Sequence, residues 1–348
     1  MEREIINGHI HFDDITKIEE VKKIYLECGI KKVNIVNIPT VNEVNKKNFA
    51  SICFKYKYPE DTYICAGLEY FLNKSKDELR KDFLEQVKKF MEMGFDGVKI
   101  LETKPIFWKW LPFAIDDEIY EDYFLYLEEN KIPIVWHAAD PARNWDENRI
   151  HPVAKKNNWG YFSGDYPTRE RFYKMVENVL RKHPGLRIVF SHFFYLYDDL
   201  KRAEKIFETY KGVNFDITPG AEMYVVFSKN HKETREFFIE YQDRIILGED
   251  GPMGEFSKKV INFIRKFLET EDKFPMIESY GYFLSYEGEE MYGLGLPEEV
   301  LNKIYYQNFI TIFGEHPKKL NFSLIIEEIG KKQGIEDIKN FIRGINGE

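Results

Sequence analysis

The sequence predicts an α/β protein, an eight-stranded (β/α)8 TIM barrel with elaborated strand-to-helix loops. Three observations predict it. Eight short, β-branched apolar runs recur along the 348 residues. An amphipathic, helix-like segment follows each of them. The runs are continuously apolar rather than alternating, as expected for parallel strands covered on both faces. Right-handed crossovers and short helix-to-strand loops make a barrel the economical way to connect eight such units. A doubly wound open sheet is the competing arrangement, but the GxGxxG fingerprint is missing after the first strand.

The predicted strands cover 4–11, 33–38, 63–68, 97–101, 132–137, 186–192, 212–217 and 244–249. The predicted helices cover 16–28, 41–57, 77–93, 117–130, 168–183, 198–210, 231–242 and 256–269, with a last one at 298–313. Residues 77–94 show the reasoning. Leu79, Phe83, Val87 and Phe90 recur at 3–4 spacing, charges fill the other face, and Gly94 is placed to end the helix. Lys131–Pro133 and His183–Gly185 punctuate helix-to-strand passages. The loops after the strands are uneven. Residues 102–116 carry Trp108 and Trp110, residues 138–167 carry Trp145 and Trp159, and 270–297 form a Tyr- and Gly-rich insertion. No Pro/Gly/Ser-rich linker divides the chain, so residues 1–348 are expected to form a single domain.

Composition narrows the function. A net charge of −9 without a long basic run argues against nucleic acid or an anionic membrane surface as partner. No apolar run reaches the roughly 20 residues a membrane helix needs, and the N-terminus has no signal-peptide core. The 3 cysteines, Cys28, Cys53 and Cys65, show no CxxC spacing and suit a reduced cytoplasmic setting as small core residues. A small-molecule substrate is expected; a homodimer is compatible with the sequence.

The polar residues at strand ends carry the chemistry. Strand alternation places Asn7, His9 and His11 of NGHIHF on one face. Pointing inward near the top, the two imidazoles lie about 7 Å apart, close enough for both to reach one ion. His137 ends the fifth strand, His192 follows the sixth, and Asp250 sits just past the eighth. Alone, each has an ordinary structural reading: a satisfied core histidine, or a turn aspartate. Four of the chain's 8 histidines at strand ends, with Asp250 at the same mouth, point instead to a site at the C-terminal face of the barrel.

At these residues the chain resembles the amidohydrolase superfamily, in particular the amidohydrolase-related branch that includes aminocarboxymuconate-semialdehyde decarboxylase. NGHIHF is similar to the DxHxH of strand one, IVWHAADP to the strand-five histidine motif, VFSHF to that of strand six, ILGEDGP to the strand-eight turn, and YYQNFITIFG at 305–314 to the closing helix. The resemblance implies one divalent metal ion held by His9, His11, His137 and Asp250, with His192 as the catalytic histidine beside it. Three imidazoles and a carboxylate suit Zn²⁺ best, with Mn²⁺ or another divalent ion as alternatives. The reaction implied is hydrolysis of a cyclic ester or amide by metal-activated water, with Asp250 and His192 moving protons. Non-oxidative decarboxylation of an aromatic or muconate-type acid at the same metal is the second expectation, and a catalytically silent ligand-binding barrel the third.

Two departures stand out. Relatives often carry an acid where this chain has Asn7, which can only hydrogen-bond. Some branches bridge two metals with a carboxylated lysine; Lys99 in GVKIL is roughly placed for that, although an ion-pair role is the commoner one. For the substrate, the expected contacts are Trp108, Trp145, Tyr195 and Tyr224 as apolar or aromatic walls and Arg143 as a carboxylate clamp. Glu222 is a weaker candidate. Packing of the loops onto the barrel, and a surface ion pair for Arg143, are the competing readings.

Overall fold

The computed structural model describes residues 4–111, 113–252, 254–276 and 288–346. Eight parallel strands run in chain order around the sheet: β1 (Ile5–Ile10), β2 (Ile30–Val36), β3 (Thr62–Gly67), β4 (Gly97–Thr103), β5 (Pro133–Ala138), β6 (Arg187–Phe190), β7 (Val213–Asp216) and β8 (Ile245–Ile246). Each is followed by a helix: α1 (Ile18–Glu27), α2 (Lys46–Lys57), α3 (Lys76–Met93), α4 (Glu121–Glu129), α5 (Arg169–Lys182), α6 (Leu200–Thr209), α7 (His231–Glu240) and α8 (Phe256–Glu269). The sheet nearly closes on itself. Past the short β8, the Gly8 N–H donates to the Leu247 carbonyl at 2.9 Å, and the Asp250 N–H donates to the His9 carbonyl at 2.9 Å. The eight-unit barrel expected from the apolar runs is therefore the observed fold.

The strands are buried on both faces, which explains their unbroken apolar character. The α3 helix begins with a capping box in which Ser75 and Glu78 satisfy each other's backbone donors, and it ends at Gly94 in a left-handed conformation (φ +101°). Its Leu79, Phe83 and Val87 face the core as the spacing predicts. The predicted helix at 41–57 starts only at Lys46, because Thr40–Val41 pairs with Glu69–Tyr70 in a small ribbon beside the barrel mouth.

The last predicted helix, 298–313, is continuous but passes through a π-helical stretch, Lys303–Gln307, before Asn308–Phe313. Here it closes the bottom of the barrel. Phe309 and Ile312 pack with Ile6, Tyr63, Val189 and Ile246, drawn from four different strands. The Asn308 side chain donates to the Ile245 carbonyl at 2.7 Å and pins this plug to β8. With the N-terminal end filled, the open end is the C-terminal mouth, where the candidate residues lie. Of the predicted insertion 270–297, residues 277–287 lie outside the described residues; the flanks form a ribbon of Lys273–Pro275 with Glu290–Tyr292.

One expectation about facing is corrected. Asn7 does not share a face with His9 and His11. Between Asn7 and Ile10, β1 carries one more residue than β2 does, since Asn7 pairs with Val33 and Ile10 with Ile35. Such a bulge breaks the alternation. Asn7 consequently points to the helix layer, where its amide reaches Glu249 Oε2 at 3.4 Å. Glu249 also accepts from the Tyr25 hydroxyl of α1 at 2.8 Å and from the Ser257 hydroxyl of α8 at 2.7 Å. Asn7 thus helps tie β1 to the helices behind it and takes no position in the mouth.

Candidate metal centre and cavity

His9 projects inward near the C-terminal end of β1, and its environment fixes its chemistry. Nδ1 lies 2.8 Å from Asp216 Oδ2, at the end of β7. That carboxylate accepts the Nδ1 proton and leaves Nε2 as the basic nitrogen, pointing at the barrel axis. Gly248 makes room for the ring, because a Cβ there would lie 2.9 Å from His9 Cβ and 2.1 Å from Thr218 Oγ1. His11 is fixed in the same sense by the Val36 carbonyl, 2.7 Å from its Nδ1. Asp250 approaches from the turn after β8 in a left-handed backbone conformation (φ +68°).

These three side chains converge. His9 Nε2 and His11 Nε2 each lie 3.3 Å from Asp250 Oδ1. Among the described residues, His9, His11 and Asp250 form a set whose ligand atoms all lie within 4.8 Å of one another. Donors about 2.0–2.2 Å from a tetrahedral ion sit roughly 3.3–3.5 Å from each other, so the observed separations fit a divalent ion among them. Burial is the main cause that holds the His9 pKa well below its ordinary value, so the ring is neutral, as a ligand must be. Burial alone would raise Asp250, but its contacts with the facing histidines, His11 first, lower it well below the usual carboxylate range, hence ionised.

His137 stands at the same mouth but outside that set. Its Nε2 lies 3.3 Å from Asp140 Oδ1 and 3.4 Å from Lys104 Nζ. Burial, then the nearby Lys104, hold its pKa well below the ordinary value. Its ring is 4.8 Å from that of His192, which in turn is 5.9 Å from His9.

His192 is presented by an unusual turn. His192, Phe193, Phe194 and Tyr195 all have positive φ, between 50° and 56°. A left-handed turn costs roughly 1–2 kcal/mol per non-glycine residue. Aromatic burial offsets it. Phe194 stacks on Phe190 at 4.1 Å, while Phe193 meets Phe215 at 5.1 Å and Phe227 at 4.9 Å. Asp216 supports the turn as well, its Oδ1 accepting the His192 N–H at 2.9 Å. The His192 Nδ1 faces the Thr218 carbonyl at 3.2 Å, which makes Nε2 its basic nitrogen. Gly220 lies against this ring, where a Cβ would come within 2.8 Å of His192 Cβ.

The mouth opens on a cavity of about 350 Å³, whose walls include His11, His137, His192 and Asp250 with Lys99, Lys104, Trp159 and Tyr195. Of the expected substrate contacts, Tyr195 lines it. Trp108 instead packs on Phe172 of α5, and Trp145 donates to the Pro167 carbonyl at 2.9 Å while its ring meets Tyr161. Tyr224 is buried between Phe263 and Phe267 of α8, its hydroxyl on the Ile217 carbonyl at 2.7 Å. Arg143 is engaged by Glu222 at 3.0 Å.

Two residues escaped sequence reasoning, Asp216 and Lys104; of the loop aromatics weighed as substrate wall or loop packing, Trp159 lines the cavity. Asp216 had a signal, an acid closing an otherwise apolar strand in GVNFDI. Lys99 lies at the cavity floor, 3.3 Å from His9 Nε2 and 3.1 Å from Ser191 Oγ. Burial lowers its pKa to about 8, opposed by Asp216 and Asp250.

The amidohydrolase family profile matches residues 77–314. No curated protein matches the chain in sequence. Among solved structures, an uncharacterised TIM-barrel protein from Bordetella bronchiseptica is similar, with TM-score 0.57, 14% identity, and coverage of 90% of this chain and 99% of that one. A zinc-bound amidohydrolase from Burkholderia multivorans matches with TM-score 0.53 and 9% identity over 89% of this chain and 99% of its own. A dihydroxybenzoic acid decarboxylase from Polaromonas, with bound manganese and an inhibitor, matches with TM-score 0.52 and 11% identity over 89% and 97%.

Proposed function

The chain belongs to the amidohydrolase family, and from that premise we propose that it is a metal-dependent hydrolase acting on a cyclic ester or amide. The observation that carries this reading is the convergence of His9 Nε2, His11 Nε2 and Asp250 Oδ1 at one mouth of the barrel, beside His137 and His192. We assign His9, His11, Asp250 and His137 as the residues that hold one divalent ion, zinc by preference and manganese next. Bound there, the ion supplies Lewis acidity and brings the pKa of water towards neutrality.

The chain's own groups do the rest. Asp216 keeps His9 in the ligating tautomer. Asp250 takes the proton of the attacking water. His192, neutral because burial lowers its pKa, accepts a hydrogen bond from that water through Nε2 and so orients it, and Asp250 returns the proton it took to the leaving oxygen or nitrogen. Trp159, Leu101 and Ile38 give the cavity an apolar wall for a planar ring.

That same wall, flanked by Lys104, favours a second reading, non-oxidative decarboxylation. Here His192 or Asp250 first takes a proton from solvent water and then delivers it to the ring carbon, and carbon dioxide leaves as the carbon–carboxylate bond breaks. One experiment separates them: panels of lactones, cyclic amides and aromatic acids are incubated with the metal-loaded protein in ¹⁸O water. Hydrolysis puts ¹⁸O into a new carboxylate, and decarboxylation releases carbon dioxide from the acids. No turnover in either panel would contradict both.

A further inference from the structure

We propose that Lys104, with Trp159 beside it, is the specificity residue that selects a negatively charged group on the substrate, a role the sequence pattern pointed to Arg143 to fill. The proposal rests on the metal assignment above and deepens it.

Position comes first. Lys104 directly follows β4 and lines the cavity with Leu101, Trp159 and His137. Its ammonium sits 4.9 Å from the centre of the Trp159 ring, 3.1 Å from Asp140 Oδ1 and 3.4 Å from His137 Nε2. An ammonium carries three donors. Asp140 takes one, and His137 Nε2 is in reach of another. Once His137 ligates an ion through Nε2, it can no longer accept, and Lys104 has a donor to direct at the cavity.

Asp140 does not depend on Lys104 alone, because its Oδ2 accepts the Tyr161 hydroxyl at 2.5 Å. Arg143 is committed elsewhere, since it pairs with Glu222 at 3.0 Å, and Lys99 lies against His9 and Ser191.

The formal charges give the same answer. Lys99 and Lys104 face Asp140, Asp216 and Asp250, and the neutral imidazoles add nothing, which leaves one net negative charge. A divalent ion turns that into one net positive charge in a largely buried mouth. One anionic group on the substrate neutralises it, and a neutral substrate does not. Trp159 gives the cavity an apolar wall for a planar ring, directly beside the ammonium of Lys104 that its charged group would meet. A planar ring bearing one carboxylate is therefore the chemistry this wall accepts.

The competing account is that Lys104 merely neutralises Asp140. Benzoate and benzamide, equal in shape and different in charge, tell the two apart. Binding of each to the full-length, zinc-loaded protein is measured by calorimetry, with zinc content determined on the same samples. Wild type is compared with Lys104→Met and with Lys104→Gln, which keeps a donor for Asp140 without the charge. The proposal predicts that benzoate weakens about 10- to 100-fold in both variants, the size of a lost charge-assisted hydrogen bond, while benzamide changes less than about threefold. Equal weakening of the two ligands in Lys104→Gln, or no change in benzoate, would overturn it. Failure of the metal reading registers separately, as absence of zinc from the wild-type protein.

Discussion

The two sides of the barrel mouth are built by different means. On the β1 and β8 side, His9, His11 and Asp250 are aimed by hydrogen bonds: Asp216 and the Val36 carbonyl hold the two rings, and the His9 carbonyl holds the Asp250 backbone. Every one of these partners is itself on a strand or its immediate extension. On the β5 and β6 side, His192 stands on a left-handed turn that aromatic packing keeps in place, and His137 engages loop residues, Asp140 and Lys104. One side is pre-organised for an ion by polar contacts. The other holds His192, proposed to orient water or transfer a proton, by burial, at a cost in backbone strain. Asp216 joins the two sides, through Oδ2 to His9 and through Oδ1 to the His192 backbone.

This contrast can be broken in graded steps. The largest effect is expected from His11→Ala, which removes a ligand from the polar side. Zinc affinity measured by competition with a chromophoric chelator should fall more than about 100-fold, beyond the 10- to 100-fold typical of losing a supporting partner. Asp216→Asn comes next. It keeps the shape and one acceptor oxygen, which can still take the His192 N–H, but loses the carboxylate acceptor for His9 Nδ1, so affinity should fall about 10- to 100-fold and turnover with it.

The aromatic side gives an inverted ranking. Phe193→Ala should destabilise the fold by about 3–5 kcal/mol in denaturant unfolding, as usual for a buried phenylalanine. At a φ of +56°, Phe193→Gly should be more stable than Phe193→Ala by about 1 kcal/mol, because glycine carries no left-handed penalty. In an ordinary helix the order is the reverse. If alanine proves the more stable of the two, the turn is not strained.

The smallest effect concerns pH. Burial holds His9, His137 and His192 below their ordinary pKa, so below about pH 6.5 the unfolded chain binds more protons than the fold. The metal-free protein should therefore lose stability as pH falls from about 6.5 to about 5.5, and stability should recover as it rises. His137→Asn should remove about 1 kcal/mol of that loss. Unfolding midpoints at the two pH values check the sign.

The barrel was legible because continuous apolar runs such as GVKIL and LRIVFSH suit buried parallel strands and little else, and because Gly94 closes α3 where the spacing ends. The polar half of the site was legible for a related reason: His9, His11 and Asp250 stand at strand ends, where the topology gathers them. Asn7 was misplaced because a bulge leaves no mark in the residue types, and alternation was the only guide. The turn at His192 was hidden because left-handed backbone is ordinarily signalled by glycine, and HFFY contains none. Trp108, Trp145 and Tyr224 read as cavity walls from their loops, yet a large aromatic carries no sign of which way it packs. Lys104 was passed over for Arg143 because nothing in the sequence tells that Glu222 takes the arginine.

The central claim is that the polar side of the mouth holds one divalent ion. Anomalous diffraction at the zinc edge, from crystals of the zinc-loaded protein, tests it most directly. The account predicts a single peak bonded to His9 Nε2, His11 Nε2, Asp250 and His137. A peak elsewhere, or none at full zinc loading, would contradict it.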